Sequence, residues 1–229
     1  IFIGGGTPSL MSGAFYRQLL AQLQRRVGFV DNIEITLEAN PGTFEQAKFA
    51  DFRDAGINRL SLGVQSFSDQ RLQALGRIHN GDEACAAVKA AKALGYERLN
   101  IDLMHGLPGQ TVEQAMDDLE QAVALRPSHL SWYQLTIEPN TEFHSRPPTL
   151  PEDELLWSIQ EQGQRYLAEA GFSQYEISAY SQEGEQSRHN LNYWRFGDYL
   201  GIGCEAHGKI TLPQENKIIR TSKVKHPKG

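Results

Sequence analysis

The chain has 229 residues, with 22 Lys and Arg against 28 Asp and Glu for a formal net charge of −6, and is 40% hydrophobic and 22% charged. This composition excludes a disordered or fibrous chain, and an acidic balance gives no general pull toward nucleic acid or anionic lipid. No stretch reaches the roughly 18 apolar residues of a membrane span, no secretory signal opens the chain, and two cysteines, Cys85 and Cys204, are too few for a disulfide framework. The expectation is a cytoplasmic protein, a monomer or weak dimer. A start at Ile1 rather than Met reads as a segment of a longer protein.

Ile1-Phe2-Ile3 has a short buried-strand pattern running into Gly4-Gly5-Gly6-Thr7-Pro8. Ser12 is placed to cap a helix over Gly13 to Val27, with Phe15, Leu19, Leu20 and Leu23 on one face. A strand follows at residues 33–37, and Thr43-x-x-Gln46 is the pattern of a capping box for a helix stopping near Gly56. The cycle repeats with a strand over 59–64, an Ala-rich helix from Asp82 to Gly95, and a strand over 99–104. A second box, Thr111-x-x-Gln114, opens a helix ending near Leu125. A fifth strand is expected at 130–135, a long helix at 152–170 after a proline-rich connection, and a sixth strand at 175–177.

Strand–helix alternation at this spacing implies right-handed crossovers and a parallel sheet. The expected fold is α/β, a six-stranded parallel (β/α) partial barrel over residues 1–180, with 181–229 beginning a C-terminal accessory region. The last thirteen residues carry Lys217, Arg220, Lys223, Lys225 and Lys228, a solvated surface by composition.

Gly4–Gly6, Glu38, Gln65, Asp102 and Gln134 fall at or just beyond the C-terminal ends of expected strands, the edge where βα loops gather and ligands bind. Singly, each also suits a structural role, Asp102 as a loop cap, Glu38 as a lysine's partner and Gln65 as a partner of buried backbone. Together they point to a small-molecule site. The glycine run is neither a phosphate loop nor GxGxxG, and three glycines let backbone N–H and C=O approach a ligand bearing an amine and a carboxylate. Arg77 offers that carboxylate a charge, or is a surface arginine. Cys204 and His207 have a metal-ligand spacing, but two ligands are too few for zinc, so no metal site is expected. His189, beside Tyr193 and Trp194, suits an axial haem ligand between aromatic walls as well as it suits a helix start with buried aromatics. His129, His144 and His226 stand in settings that suggest only structural or surface roles.

Several ordered segments resemble radical S-adenosylmethionine proteins of the oxygen-independent coproporphyrinogen III oxidase family. They are Gly4-Gly5-Gly6-Thr7-Pro8-Ser9, Leu37-Glu38-Ala39-Asn40-Pro41-Gly42, Gly63-Val64-Gln65-Ser66-Phe67, Leu75-Gly76-Arg77 and the run from Asn100 to Gly109. Leu130 to Thr141 and the His189-Asn190-x-x-Tyr193-Trp194 motif are similar to the HemW-type haem chaperone branch. The resemblance spans essentially the whole chain. It implies S-adenosylmethionine contacts at Gly5, Gly6, Thr7, Glu38, Gln65, Arg77 and Asp102, and a haem contact at His189. It also implies a [4Fe–4S] cluster held by a CxxxCxxC motif upstream of the glycine loop. This segment lacks that motif, so the cluster is expected only in the full-length protein. The implied function is a haem chaperone passing haem to an acceptor protein, and the alternative is a coproporphyrinogen III oxidase of porphyrin biosynthesis.

Overall fold

Each central strand carries apolar and polar residues in alternation, and this period of two gives the sheet two unlike faces. The structure, a computed structural model, describes residues 1–225; His226 and Lys228 lie outside the described residues. Two units are present, Ile1–Gln186 and a second beginning at Ser187. In the first, β1 (Phe2–Ile3), β2 (Thr36–Ala39), β3 (Arg59–Gln65), β4 (Arg98–His105) and β5 (His129–Gln134) lie side by side in chain order, every pair parallel. The sheet ends in β7 (Ala179–Ser181), antiparallel to β5, and β6 (Ser173–Gln174) at the edge. The expected α/β class holds, in the strand order of a (β/α) barrel that stays open between β1 and β6.

The sixth parallel strand does not form. Residues 175–177 instead link β6 to β7, where the Glu176 carboxylate accepts from Ser178 N at 3.1 Å and Ser178 Oγ at 3.2 Å. A hairpin needs only a short link, whereas a parallel partner needs a crossover of a dozen residues.

Helices cover one face of the sheet. α1 (Gly13–Val27) is capped by Ser12 as expected, its Oγ accepting from Phe15 N at 3.2 Å. Tyr16 and Leu20 are its buried residues, while Phe15 is exposed, a correction to the expected apolar face. The Thr43 box is also corrected. Gly42 caps α2 (Thr43–Gln46), and the Gln46 amide donates to Pro41 O at 2.8 Å and Glu83 O at 3.2 Å, so tertiary partners draw it from the cap. Short helices α3 (Phe49–Asp54) and α4 (Asp69–Ala74) flank β3. α5 (Gly81–Ala93) and α6 (Val112–Ala124) both begin in reciprocal capping boxes, Asn80 with Glu83 and Thr111 with Gln114. α7 (Glu142–Ser145) precedes the long α8 (Asp153–Glu169).

The core lies between sheet and helices. Leu60, Leu62, Leu99, Ile101, Leu103 and Leu130 meet Ala87, Val88, Leu119, Ala122 and Ile159, all fully or almost fully buried. At α8 the approach is tight, since a Cβ on Gly163 would overlap Trp132 Cη2. Gly163→Ala should therefore lower stability by about 1–3 kcal/mol through overpacking. An unchanged melting temperature would show that α8 does not seat on Trp132.

In the second unit, α9 (Arg188–Trp194) precedes the hairpin of β8 (His207–Leu212) and β9 (Lys217–Ser222). Lys209 is buried, its ammonium donating to Phe196 O, Asp198 Oδ1 and Thr211 Oγ1 at 2.7–3.0 Å. The bond from Lys209, with two from Thr211, holds the Asp198 carboxyl down at about 2.

Candidate functional site

The inner face of the first unit is polar because residues of one parity along the strands are polar: Glu34, Thr36 and Glu38 on β2 and its approach; Arg59, Ser61 and Gln65 on β3; Asn100 and Asp102 on β4; His129, Ser131 and Tyr133 on β5. At its C-terminal end a cleft of about 200 Å³ is lined by residues that include Gly6, Thr7, Glu38, Ser61, Gln65 and Asp102. Ser9, Asn40 and Tyr133 add to its polar wall.

The glycine loop is shaped by the carboxylate beneath it. Gly5 N donates to Glu38 Oε2 at 3.0 Å, and a Cβ on Gly4 would lie 2.8 Å from the same carboxylate. Gly5 and Gly6 take φ of +82° and +59°, a left-handed path that glycine follows without steric cost.

Gln65 also has a left-handed backbone, with φ of +70°. A non-glycine residue there is strained and persists only where its surroundings fix it. Here Asp118 accepts from Ser66 Oγ at 2.8 Å and Phe67 N at 2.7 Å, while the β3–β4 register breaks between Leu62 and Gln65. The bend turns the Gln65 amide into the cleft, where its Oε1 accepts from the Tyr133 hydroxyl at 2.8 Å. Burial pushes the Tyr133 hydroxyl up to about 12, so it remains a donor at neutral pH.

Asp102 accepts from Ser61 Oγ at 3.1 Å and Asn100 Nδ2 at 2.7 Å. Burial pushes its carboxyl up to about 6; hydrogen bonds from Ser131, Asn100 and Ser61 oppose the rise, and the charge of Glu38 adds to it. The cleft thus holds two carboxylates and no Lys, Arg or His among its lining residues. That field suits a cation with hydroxyl or amine donors.

Of the sequence candidates, the structure brings together Gly5, Gly6, Thr7, Glu38, Gln65 and Asp102. Arg77 is exposed on the loop after α4, outside the lining, yet its charge reaches the Tyr133 hydroxyl. Gln134 is exposed and lines no part of the cleft. Ser61, Asn100, Tyr133 and His129 were missed because they lie within strands or at a strand start. The alternating parity of Arg59-x-Ser61, Asn100-x-Asp102 and His129-x-Ser131-x-Tyr133 is the signal that finds them.

His189 lies in the second unit on α9, half-buried. Its Nδ1 is 2.8 Å from Ser187 Oγ, and its ring stands edge-to-face with Tyr193 at 6.0 Å. Tyr193 packs edge-to-face on Tyr199 at 4.7 Å, and Tyr193, Trp194 and Phe196 expose 48%, 49% and 79% of their surface. Large aromatics at such exposure beside an imidazole form an apolar surface with a ligating atom near it.

The described residues do not fit an iron–sulfur cluster. Cys85 lies on α5, Cys204 stands alone and exposed, and no three His, Cys, Asp or Glu side chains among the described residues gather as a metal would require. No helix of the described residues is long and apolar enough to cross a membrane.

The sequence pattern of the Radical SAM superfamily matches residues 1–122. Across all 229 residues the chain is 61% identical to a protein of Haemophilus influenzae named heme chaperone HemW and 58% identical to the Escherichia coli protein of that name. It spans 60% of the length of each. A mouse protein named radical S-adenosyl methionine domain-containing protein 1, mitochondrial, is 41% identical over 93% of this chain and 49% of its own length. Among solved structures, coproporphyrinogen III oxidase (HemN) of Escherichia coli superposes with a TM-score of 0.81, at 23% identity, over 99% of this chain and 54% of that one.

Proposed function

We propose a function from one premise: the chain belongs to the radical SAM superfamily. The function is that of a haem chaperone that binds haem and passes it to an acceptor protein in the cytoplasm, acting as a monomer or weak dimer. The observation that carries this reading is identity of 61% and 58% along the whole chain to two proteins named heme chaperone HemW. The likeness to the coproporphyrinogen oxidase, at 23% identity, speaks for a common fold alone.

Two sites divide the work. The cleft at the C-terminal end of the sheet would hold S-adenosylmethionine. Gly5, Gly6 and Thr7 offer backbone donors and acceptors to its methionine part, Glu38 and Asp102 offer carboxylates to its amine or ribose hydroxyls, and Gln65 offers its amide; Arg77 stands outside as a charge for its carboxylate. The fit rests on the two carboxylates and on the left-handed path of Gly5 and Gly6, where a side chain is disfavoured. When bound, S-adenosylmethionine supplies a sulfonium whose carbon–sulfur bond is open to reductive cleavage. A [4Fe–4S] cluster belongs to the family and is assigned to cysteines outside this chain.

His189 would ligate haem, with Tyr193 and Trp194 against the macrocycle. Ser187 Oγ, 2.8 Å from Nδ1, orients the imidazole. A haem titration of the protein followed at the Soret band is expected to saturate near one haem per chain, and His189→Ala to weaken it by about tenfold or more, on the order of one lost coordinate bond's net worth. No saturable binding would defeat the chaperone reading and direct the next assay to anaerobic propionate decarboxylation.

A further inference from the structure

Behind Asp102 the inner face carries a continuous chain of hydrogen bonds that the ligand contacts do not use. Asn100 Nδ2 donates to Asp102 Oδ1 at 2.7 Å and lies within 3.0 Å of Ser61 Oγ and Ser131 Oγ. An ionised carboxylate only accepts, so Asn100 turns its nitrogen toward Asp102 and its Oδ1 away. Oδ1 then meets His129 Nδ1 at 2.6 Å, and because an amide oxygen only accepts, Nδ1 carries the imidazole proton. In the neutral ring, Nε2 accepts from the Tyr175 hydroxyl at 2.6 Å. His129 is buried, and the Tyr175 ring stands against it at 5.5 Å. The donors all point one way, from Tyr175 through His129 and Asn100 to Asp102. β5 pairs with β4 so that His129 sits opposite Asn100 and Ser131 opposite Asp102, which sets the chain in the sheet's own register.

We infer that His129 is a positioning residue for ligand binding: through Asn100 it fixes the Asp102 carboxylate at the end of the cleft, and Tyr175 fixes its tautomer. The inference rests on the reading of the cleft as an S-adenosylmethionine site. Without the His129 proton, Asn100 Oδ1 keeps only the longer bond from Ser131 Oγ at 3.2 Å, and the amide that donates to Asp102 is held less firmly.

The test is S-adenosylmethionine affinity by titration calorimetry, with thermal melting of each variant. His129→Leu removes the donor and should raise Kd about fivefold, the equivalent of one net hydrogen bond. His129→Asn keeps an N–H near the position of Nδ1 while giving up the ring packing, and should restore Kd to within about twofold of the parent. Tyr175→Phe, which removes one hydroxyl, should raise Kd about twofold to threefold without unfolding the protein. Absence of binding by the parent protein would overturn the reading of the cleft and the inference with it. Parent binding with unaltered affinity in His129→Leu and Tyr175→Phe would overturn the inference alone. So would weakening in His129→Leu that His129→Asn fails to rescue, because that pattern marks packing and not the donor.

Discussion

Arg59→Met is expected to lower folding stability by about 3–5 kcal/mol. Arg59 is 1% exposed and Glu34 5%, and their ion pair closes at 3.1 Å between Nη1 and Oε2. The second guanidinium arm donates to Glu185 O at 2.8 Å. Burial pushes the guanidinium below its ordinary value, and the neighbouring Glu34 carboxylate pulls it back. Forming such a pair gains little over an apolar pair, because both charges leave water. Breaking it is a different matter, since Glu34 would remain buried without its arginine. The double variant Glu34→Leu, Arg59→Met is therefore expected to recover most of the loss. Urea denaturation of the two variants checks both statements, and a loss under about 1 kcal/mol in Arg59→Met would show that water reaches Glu34.

Asp102→Asn should separate stability from binding. Burial raises the Asp102 carboxyl to about 6, so the folded protein holds its proton more tightly than the unfolded chain does. In the window between the ordinary carboxylate value near 4 and about 6, the native state binds more protons and stability falls as pH rises. Above pH 6 the full cost is present, on the order of a few kcal/mol. Asparagine carries no charge, so the variant is expected to gain stability at pH 8 and show little change at pH 4. Ligand affinity should move the other way, falling by about tenfold to a hundredfold because a charge-assisted hydrogen bond is lost. In the parent, binding should strengthen as pH rises through about 6, where Asp102 ionises to meet a cation. Calorimetry at pH 5 and pH 8 reads both effects. A variant that loses stability at pH 8 would show that the carboxylate holds the strands together.

Local signals in the sequence were sufficient where the physics is local. Ser12 caps α1, and Thr111 with Gln114 opens α6, because a cap depends on residues within one turn. The signal failed where a distant partner decided. Gln46 matches a box but turns to Glu83 O, and Tyr175, which has a strand former's side chain, sits in a hairpin link with its hydroxyl on His129. The candidate site divides in the same way. Glu38 and Gln65 are legible as polar residues at strand ends, whereas Asp102, expected at one too, lies mid-strand in β4 and reaches the cleft by its inner-face parity. His129 carries no local signal, because nothing near it in the chain is unusual; its partners, Asn100 and Tyr175, lie 29 and 46 positions away.

The sheet's two faces have a bearing on how such a chain changes over generations. Leu60, Leu62, Leu99, Ile101 and Leu103 hold the helices, while Ser61, Asn100, Asp102 and Ser131 lie on the inner face between them. Adjacent positions along one strand therefore answer to different selective pressures. An inner residue can drift and admit a new ligand while its neighbours, one place away, keep the scaffold. Diversification at alternate strand positions is the route by which this architecture acquires new specificities without rebuilding its core.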